Sequence, residues 1–429
     1  MKKILLPFFA AASMGVSAQT WTQQNSGFAI ASTGINAIRI VDANTVWALG
    51  YDGSATEANY QTFTKTTTGG TTWTPGGINV GNTAYLISDL TAVSATTAWA
   101  TATSENGGPG GGVWKTTDGG ATWAKQTTAA YNSTGSFANV VHFWDANNGV
   151  TMGDPTNNLM EIYVTSNGGT NWTKLTSTVV PDTQSGEYGY VHHRVVAGDN
   201  IWAGTNKGRI FKSANKGLSW TVVSTPLSDF GGAASSGTIA LKDANTAWIL
   251  DNNGVVRGTT NGGTTWSTLA TIAQSNGIAY VPGTVSTLVA VGNGDGSNIS
   301  YNGGTTWTPI ETTNAYVSVA ALNPTTVFGG GFNTSSTVGG IYKLGGILAV
   351  NDVKANDGQI SVYPNPTSDI LNIRSKDKVK QVSVYDLSGK RFEIKLDRNS
   401  ADVSALQSGV YMIVVETDGG KIAEKFIKK

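Results

Sequence analysis

The sequence of 429 residues contains no cysteine. Disulfide bonds, thiolate metal sites and cysteine nucleophiles are therefore all excluded. Charged residues make up only 13% of the chain, and 28 Lys and Arg balance 28 Asp and Glu. A neutral and sparsely charged chain gives no sign of nucleic-acid binding, because that function needs a basic surface. Beyond the first 18 residues, no segment is long and apolar enough to form a transmembrane helix.

The residues that are abundant indicate an all-β protein. The chain has 54 glycines together with many Thr, Asn and Ser residues, a composition that favours short strands and tight turns over helices. The N-terminus differs, since Lys2 and Lys3 precede the apolar run Ile4–Ala12 and the small residues Val16-Ser17-Ala18. This order is typical of a signal peptide, so we expect the mature chain to begin at Gln19.

A short box that ends in tryptophan occurs six times, and each copy reads roughly Ser/Thr-x-Asn/Asp-Gly-Gly-x-Thr-Trp. Successive tryptophans are 50, 49, 48, 46 and 41 residues apart, a period typical of a solenoid, a propeller or an array. The tryptophans are expected to pack between neighbouring sheets. The six boxes are Thr66–Trp73, Thr116–Trp123, Thr165–Trp172, Ser213–Trp220, Thr259–Trp266 and Ser300–Trp307.

The third position of each box has a predicted role in the turn. Its side-chain oxygen is expected to accept a hydrogen bond from a backbone amide two residues on, as in an Asx turn. The first box has Thr68 at this position, so we expect a less well capped turn there. The other five boxes carry an acid or an amide: Asp118, Asn167, Asn215, Asn261 and Asn302.

A second signature precedes each box and occurs once more than the box does. Clear copies are Ile40–Trp47 and Leu241–Trp248, and the last copy leads into Ile341–Gly346, which has no box after it. The segment that follows a box is instead found at the other end, as Thr20-Trp21-Thr22. The mismatch predicts a seven-bladed β-propeller in which the N-terminal strand completes the last blade and leaves no open edge.

The boxes resemble the Asp-box, or bacterial neuraminidase repeat, over nearly all of residues 20–346. Propellers with such boxes include sialidases, xyloglucanases, sortilin-type receptors and the photosystem II assembly factor family, and the last is most similar in repeat length and blade count. The resemblance implies a propeller of the sialidase-like superfamily. It implies little about function, because the box forms a structural turn.

The C-terminal part has a different character. Short alternating runs such as Ile360–Tyr363 and Val410–Val415 predict a small antiparallel sandwich. Three motifs stand in order there, Val362–Asp369, Val384–Lys390 and Leu406–Tyr411, and they resemble the type A C-terminal sorting domain of the type IX (Por) secretion system of Bacteroidetes. The resemblance implies export by that machinery, followed by release or by anchoring at the cell surface. The expected divisions are 1–18, 19–346, 347–358 and 359–429.

The propeller face opposite the boxes is the expected ligand surface. Its loops are longest in the early blades, as at Tyr51–Tyr60, Ala102–Gly112 and Thr176–Tyr190. Acidic and aromatic residues on such loops suit carbohydrate binding, although polar, tyrosine-rich loops need no ligand. The candidates collected there are Asp52, Glu57, Tyr60, Tyr85, Glu105, Tyr131, Asp154, Asp182, Glu187, Tyr188 and Tyr190.

A second set of polar residues recurs on the innermost strands, eight and ten residues before the end of each second signature. If this column faces the central channel, it forms a partly cationic funnel that could hold a carboxylate. The same residues could also form structural ion pairs in a water-filled channel. Adjacent His192 and His193 are expected to point to opposite faces of their strand. The column contains Arg39, Asp89, Thr91, His142, His192 and Arg194.

These observations predict a secreted or surface-displayed binding or scaffolding module whose ligand is a glycan or a protein. The alternative is a secreted glycoside hydrolase, for which Asp154 and Glu187 are the candidate catalytic pair. Arg209 and Arg257 are expected on outer strands, away from the channel. No cofactor or metal site is expected. The expected partners are the type IX machinery and the ligand of the propeller face.

Overall fold

The computed structural model describes residues 19–54, 59–347, 360–386, 391–417 and 420–429. The predicted signal peptide, Glu57 and most of the predicted linker lie outside these residues. All regular structure in the described residues is β-strand. The chain divides into two compact units, of which the first ends at Ile347 and the second contains the described residues from Ile360 onward.

The first unit contains six antiparallel sheets that form the seven blades of a propeller, because one eight-stranded sheet includes the strands of both the first and the last blade. Blade 1 consists of β2 (Thr33–Ile40), β3 (Val46–Asp52), β4 (Thr62–Thr66) and β5 (Thr74–Gly77). Blade 2 consists of β6 (Tyr85–Ala92), β7 (Ala98–Ser104), β8 (Gly112–Thr116) and β9 (Ala124–Gln126). Blade 3 consists of β10 (Ala138–Phe143), β11 (Gly149–Thr156), β12 (Leu159–Thr165) and β13 (Thr173–Lys174).

The remaining blades repeat this order. Blade 4 consists of β14 (Gly189–Ala197), β15 (Asn200–Thr205), β16 (Arg209–Ser213) and β17 (Thr221–Ser224). Blade 5 consists of β18 (Gly231–Gly232), β19 (Ser235–Leu241), β20 (Ala247–Asp251), β21 (Val255–Thr259) and β22 (Ser267–Thr271). Blade 6 consists of β23 (Gly277–Tyr280), β24 (Leu288–Val291), β25 (Ser297–Ser300) and β26 (Thr308–Glu311).

Blade 7 is built from both ends of the propeller, which confirms the predicted closure. Its strands are β27 (Ser318–Asn323), β28 (Thr326–Ser335), β29 (Val338–Leu344) and the N-terminal β1 (Trp21–Asn25). Strand β1 pairs antiparallel with β29 from Trp21 opposite Leu344 to Asn25 opposite Gly340. The last blade therefore has its fourth strand from residues that precede the first blade, and the ring is held by backbone hydrogen bonds.

The hydrophobic core of the propeller lies between the blades. Seven clusters of buried side chains occupy the seven interfaces between neighbouring blades. Where blade 7 meets blade 1, for example, Phe328 packs beside Trp73 with ring centroids 5.8 Å apart. Each blade therefore buries both faces, which explains why its second strand is buried along most of its length.

The second unit is a β-sandwich with its own core, as predicted. One sheet contains β30 (Ile360–Tyr363), β31 (Ile370–Ser375), β35 (Ser400–Asp402) and β34 (Leu396–Asp397). The other contains β33 (Arg391–Phe392), β32 (Val379–Asp386), β36 (Gly409–Thr417) and β37 (Gly420–Lys428). Their inward side chains, including Leu371, Val384 and Ile413, form one buried cluster.

Candidate functional site

The boxes and the turns of the second signatures lie at one end of the propeller, which we call the box face. In every boxed blade, the backbone amide at the fourth box position donates to a carbonyl in the turn between the first two strands. In blade 1, Gly69 N donates to Asn44 O at 2.9 Å, and in blade 2, Gly119 N donates to Thr96 O at 2.9 Å. The opposite end, the loop face, carries the connections after each second and fourth strand.

The third box position caps its turn, but at a different amide from the one expected. Asp118 Oδ1 accepts from the backbone N of Thr122, four residues on, and the four boxes with asparagine repeat this bond. The expected Asx bond two residues on was wrong. In the first box, Thr68 Oγ1 accepts from Thr72 N at 3.0 Å, so this turn is capped at the same amide by a hydroxyl.

The box tryptophans pack at the interfaces between blades. Trp73, Trp172 and Trp220 are buried, and Trp123, Trp266 and Trp307 pack partly buried against neighbouring clusters. Trp123 Nε1, for example, donates to Gly77 O in the preceding blade at 3.0 Å. The boxes thus form structural joints between blades, and none of their capping oxygens is left free for a ligand.

A lysine joint between blades was not foreseen from the sequence. In four blades, a lysine directly before the box or its equivalent position donates to a box glycine carbonyl of the next blade. Its Nζ also lies over an aromatic ring of the second strand, as Lys65 Nζ does 4.5 Å from the Trp47 ring centroid. The sequence feature that indicates this contact is the lysine that recurs directly before the box. The four contacts are Lys65 to Gly119 O, Lys115 to Gly168 O, Lys212 to Gly262 O and Lys343 to Gly69 O.

The central channel contains two cavities that are lined by the innermost strands. The box-side chamber, of about 300 Å³, is lined by the later residues of all seven innermost strands and includes Arg39, His142 and Arg194. The loop-side chamber, of about 210 Å³, is lined by earlier residues of these strands and includes Asn36, His192 and Thr238. Arg194 lines both chambers, so the two lie next to each other along the channel.

Asp89 connects four blades at the wall of the channel. Its side chain is fully buried, and its two oxygens accept from Arg39 Nη2 at 2.6 Å and from Arg194 Nε at 2.9 Å. The amides of Leu90 and Val141 donate to the same carboxylate. Burial opposes ionisation, but the two guanidinium groups hold the pKa of Asp89 below its usual value. Asp89 is thus an ion-pairing residue with every oxygen occupied.

Arg194 does not stand in register with Arg39. Arg39 lies opposite Trp47 in its blade, whereas in blade 4 the residue opposite Trp202 is Val195. The difference arises at the turn, because Arg39 precedes its partner Trp47 by eight residues and Val195 precedes Trp202 by seven. Before Arg194, β14 also contains a bulge, since it advances five residues from Gly189 while β15 advances two. Arg39 from blade 1 and Arg194 from blade 4 both form ion pairs with the Asp89 carboxylate of blade 2.

All three histidines of the sequence line the channel, His142 in the box-side chamber and His192 and His193 in the loop-side chamber. The alternation that was expected to point His192 and His193 to opposite faces is interrupted by a bulge in β14, where His192 has a φ of 47°, in the left-handed region. Burial lowers the pKa of each imidazole, to about 4 for His192. The three rings are therefore neutral at pH 7, and the Nδ1 of each is buried without a hydrogen-bond partner.

The two candidate catalytic carboxylates have different environments. Glu187 is buried, and its oxygens accept from Arg209 Nε and Nη2 at 3.0 and 2.6 Å and from Thr205 Oγ1 at 2.7 Å. Burial alone would raise the pKa of Glu187, but the hydrogen bonds from Arg209 and from the Gln184 amide lower it. Glu187 is thus a fully paired carboxylate that holds the loop before β14.

The environment of Asp154 favours its protonated form, unlike that of Glu187. It is half-buried near the loop-face end of β11, and Asn139 Nδ2 and Gly189 N donate to Oδ1 at 2.6 and 3.0 Å. Burial raises the pKa of Asp154 to about 6, because these two bonds offset the loss of solvation only in part. Neither Asp154 nor Glu187 lines the two channel chambers.

An aromatic pair is exposed on the loop face of blade 4. The side chain of Tyr188 is 43% exposed, and its ring centroid lies 5.6 Å from that of Tyr190 in an edge-to-face arrangement. Tyr190 Oη donates to Asp229 Oδ1 at 2.6 Å, and the Tyr190 ring lies 6.3 Å from the ring of His193. The aromatic residues therefore run from the exposed face to the loop-side chamber.

The other loop-face candidates are divided between surface and core. Tyr131 is fully buried and shares a hydrogen bond with Thr151, and Asp52 is buried at the end of β3, so neither is available on the surface. Glu105 and Asp182 are exposed, whereas Tyr60 and Tyr85 are half-buried. Arg209 and Arg257 lie on outer strands, as expected, and pair with Glu187 and Asp251.

The described residues contain no group of three or more His, Asp or Glu side chains that could hold a metal ion. They also contain no helix of the length and apolarity needed to cross a membrane.

Residues 361–429 match the model of the secretion system C-terminal sorting domain. No curated protein matches the sequence. Several solved propellers have a similar structure. YCF48 bound to D1 peptide matches at 16% identity and a TM-score of 0.53, over 77% of this chain and 97% of its own. YCF48 from Cyanidioschyzon merolae matches at 16% identity and a TM-score of 0.54, over 76% of this chain and 99% of its own.

An ancestral GH74 enzyme matches at 14% identity and a TM-score of 0.52, over 94% of this chain and 63% of its own. At these identities the similarity shows the fold alone. The sorting domain implies export to the cell surface by the type IX secretion system and contact with its machinery. The chain is therefore an exported β-propeller that carries a secretion system C-terminal sorting domain.

Proposed function

We propose that this exported propeller is a binding module and that its ligand, a glycan in the first instance, docks on Tyr188 and Tyr190 at the loop face of blade 4. The observation that carries the proposal is an exposed aromatic ring held in a fixed position. Tyr188 packs edge-to-face on Tyr190, and the Tyr190 hydroxyl is held by Asp229. An aromatic ring that is fixed before binding loses little conformational entropy when a ligand packs on it.

The backbone beneath the aromatic pair is also fixed. Tyr188 N donates to Asn206 Oδ1 at 2.8 Å, and Asn206 Nδ2 donates to Gly186 O at 2.9 Å. The paired Glu187 lies between these contacts and is joined to Arg209. The segment that presents Tyr188 is therefore tied to β16 and to the loop after β15, which suits a preformed binding surface.

A protein ligand is the other form of this proposal. One structural neighbour, YCF48, is bound to a peptide in its solved structure, so this fold is compatible with such a ligand. Tyrosine also anchors protein interfaces, because it combines a large apolar surface with a polar hydroxyl. A glycan screen followed by capture of protein ligands distinguishes the two.

A glycoside hydrolase is the second candidate function, and the raised pKa of Asp154 is the observation that favours it. A carboxyl group with a pKa of about 6 suits a general acid. The proposed partner is less suitable, because Glu187 is paired with Arg209 and its pKa is lowered. A binding module without catalysis therefore fits these two residues better than a hydrolase that uses both.

The test is a glycan-array screen of the full chain, with reducing-sugar release measured for every glycan that binds. We expect binding without release, and we expect Tyr188→Ala to weaken it about tenfold, or ~1.4 kcal/mol. Tyr301→Ala is the matched control, because Tyr301 is 47% exposed and belongs to a box on the other face. It should leave the affinity unchanged.

Two results would change the conclusion. Sugar release that is lost in Asp154→Asn would identify a hydrolase in place of a binding module. If no glycan binds, capture of protein ligands by the wild-type chain and by Tyr188→Ala decides between the two ligands. Equal capture by both chains would reject the aromatic pair as the docking site.

A further inference from the structure

The walls of the channel carry one positive charge in excess. The innermost strands β2, β6, β10, β14, β19, β23 and β27 contain three charged residues, namely Arg39, Asp89 and Arg194. Two positive charges and one negative charge leave a net charge of +1, since the channel histidines are neutral at pH 7. An uncompensated charge away from bulk water is costly unless a counterion binds beside it.

Asp89 has no capacity left to neutralise the second guanidinium. Oδ1 accepts from Arg39 Nη2 and Leu90 N, and Oδ2 accepts from Arg194 Nε and Val141 N. Arg39 is the more accessible of the two cations, because its side chain is 17% exposed against 4% for Arg194. Its Nη1 makes only a long contact of 3.5 Å with Ile38 O. Arg39 can therefore donate to a further acceptor in the chamber.

His142 provides a second unsatisfied group in the same chamber. Its Nδ1 is buried without a partner, and burial together with Arg194 and Arg39 lowers the pKa of the ring. The ring as a whole is half-buried and lines the chamber, so a polar group that binds there meets the accessible side of the imidazole. Most other residues around the chamber are aliphatic, including Ile38, Val195 and Ile239.

We propose that the box-side chamber binds a small organic monocarboxylate, which accepts hydrogen bonds from Arg39 and from the His142 imidazole. A guanidinium and a neutral N–H donor in an apolar chamber match the charge and the hydrogen-bonding needs of one carboxylate. The volume of about 300 Å³ accommodates an acid the size of a single sugar or amino acid. This site is separate from the docking surface at Tyr188, and the proposal does not depend on the function proposed there.

The histidines allow the chamber to be observed directly, because all three in the chain line the channel. The experiment follows the imidazole resonances of the full chain by NMR while acetate is added at constant chloride, with His142→Gln used to assign the His142 signal. We expect saturable shifts of the His142 signal and a rise in its pKa. Neutral acetamide, which has nearly the same shape, should cause neither change.

Arg39→Gln is the decisive variant. It leaves Asp89 paired one-to-one with Arg194, so the channel keeps a balanced ion pair and the fold should be retained. Acetate should then bind about tenfold more weakly or not at all. Lys207→Gln removes an exposed positive charge outside the channel and should bind acetate like the wild type. Equal binding of acetate and acetamide, or unchanged acetate binding in Arg39→Gln, would overturn the proposal.

The source of the carboxylate is tested with two larger probes. D-glucuronate represents an acidic sugar, and acetyl-alanine represents the C-terminus of a peptide. Tighter binding of one probe than of acetate identifies the class of acid that fits the chamber. If both larger probes fail to shift the His142 signal, the size stated in the proposal is wrong.

Discussion

At the residue scale, one box contains a side chain in a backbone conformation that favours glycine. The fourth box position has a positive φ in each box, and it is glycine in five of the six. In blade 4 it is Lys216, with a φ of 57°. A residue with a Cβ is strained in this region, because Cβ approaches the following carbonyl oxygen. The exposed ion pairs of Lys216 with Asp145 and Asp199, at 4.0 and 3.8 Å, compensate little.

Lys216→Gly is therefore expected to stabilise the propeller. The relief of strain exceeds the added entropy of glycine in the unfolded chain, and we expect a gain of about 0.5–1 kcal/mol in the free energy of unfolding. Urea denaturation measures the change. Lys216→Ala is the control, because it removes the charge and keeps Cβ, so it should give no gain. Equal gains in both variants would assign the effect to charge.

The channel histidines should make the fold sensitive to mild acid. Their pKa values are lowered in the folded state from an unfolded value of about 6.5. As the pH falls from about 6.5 towards 4, the unfolded chain gains protons that the folded chain does not, so the free energy of unfolding decreases. His142→Gln should reduce the slope of this decrease by up to about 1.4 kcal/mol per pH unit.

Asp154 should have the opposite effect on that slope. Its folded pKa is raised to about 6, so the folded chain binds a proton in the same window and gains stability as the pH falls. Asp154→Asn should make the loss of stability steeper, whereas His142→Gln makes it shallower. Urea titrations at several pH values between 4 and 7 measure both slopes. A slope that neither substitution changes would contradict these ionisation states.

At the element scale, the lysine joints should stabilise the contact between neighbouring blades. Lys65 Nζ donates to Ala95 O at 2.8 Å and to Gly119 O at 3.0 Å in the next blade, and it lies over the Trp47 ring. Lys65→Met keeps most of the side-chain volume but leaves these carbonyl groups without a donor. We expect a loss of about 1–3 kcal/mol in the free energy of unfolding.

Lys207→Met is the matched control for this joint, because Lys207 is exposed on the loop face. It should change the free energy of unfolding by less than about 0.5 kcal/mol. The measurement is again urea denaturation of the full chain. If both lysine variants lose the same stability, the contact with the next blade contributes nothing of its own.

The sequence was informative about elements wherever the repeat was regular. Box spacing predicted the blades, and the extra copy of the second signature predicted that Trp21 and its neighbours complete blade 7. Register was harder to predict, because the bulge before Arg194 adds three residues to β14 without any change in composition. The partner of Glu187 was also missed, since Arg209 lies on a different strand and no spacing connects the two.

At the scale of the whole molecule, the propeller is a ring of similar joints. Seven core clusters lie between blades, and β1 closes the ring by pairing with β29. The channel at the centre departs from this regularity, because Asp89 and its two arginines come from blades 1, 2 and 4. The structure thus combines a repeated framework with one asymmetric group of charges, and that asymmetry is where we place a ligand.

The two units should unfold as separate cooperative systems, because each has its own buried core. Ile413 is fully buried in the sandwich, and Ile249 is fully buried in the propeller. Replacing either with alanine leaves a cavity and should cost about 2–5 kcal/mol in its own unit. Calorimetry of the full chain should show two transitions, with Ile413→Ala lowering the midpoint of one and Ile249→Ala lowering that of the other. If either substitution shifted both midpoints together, the units would be stabilising each other, and the sorting domain could not be treated as an independently folded export signal.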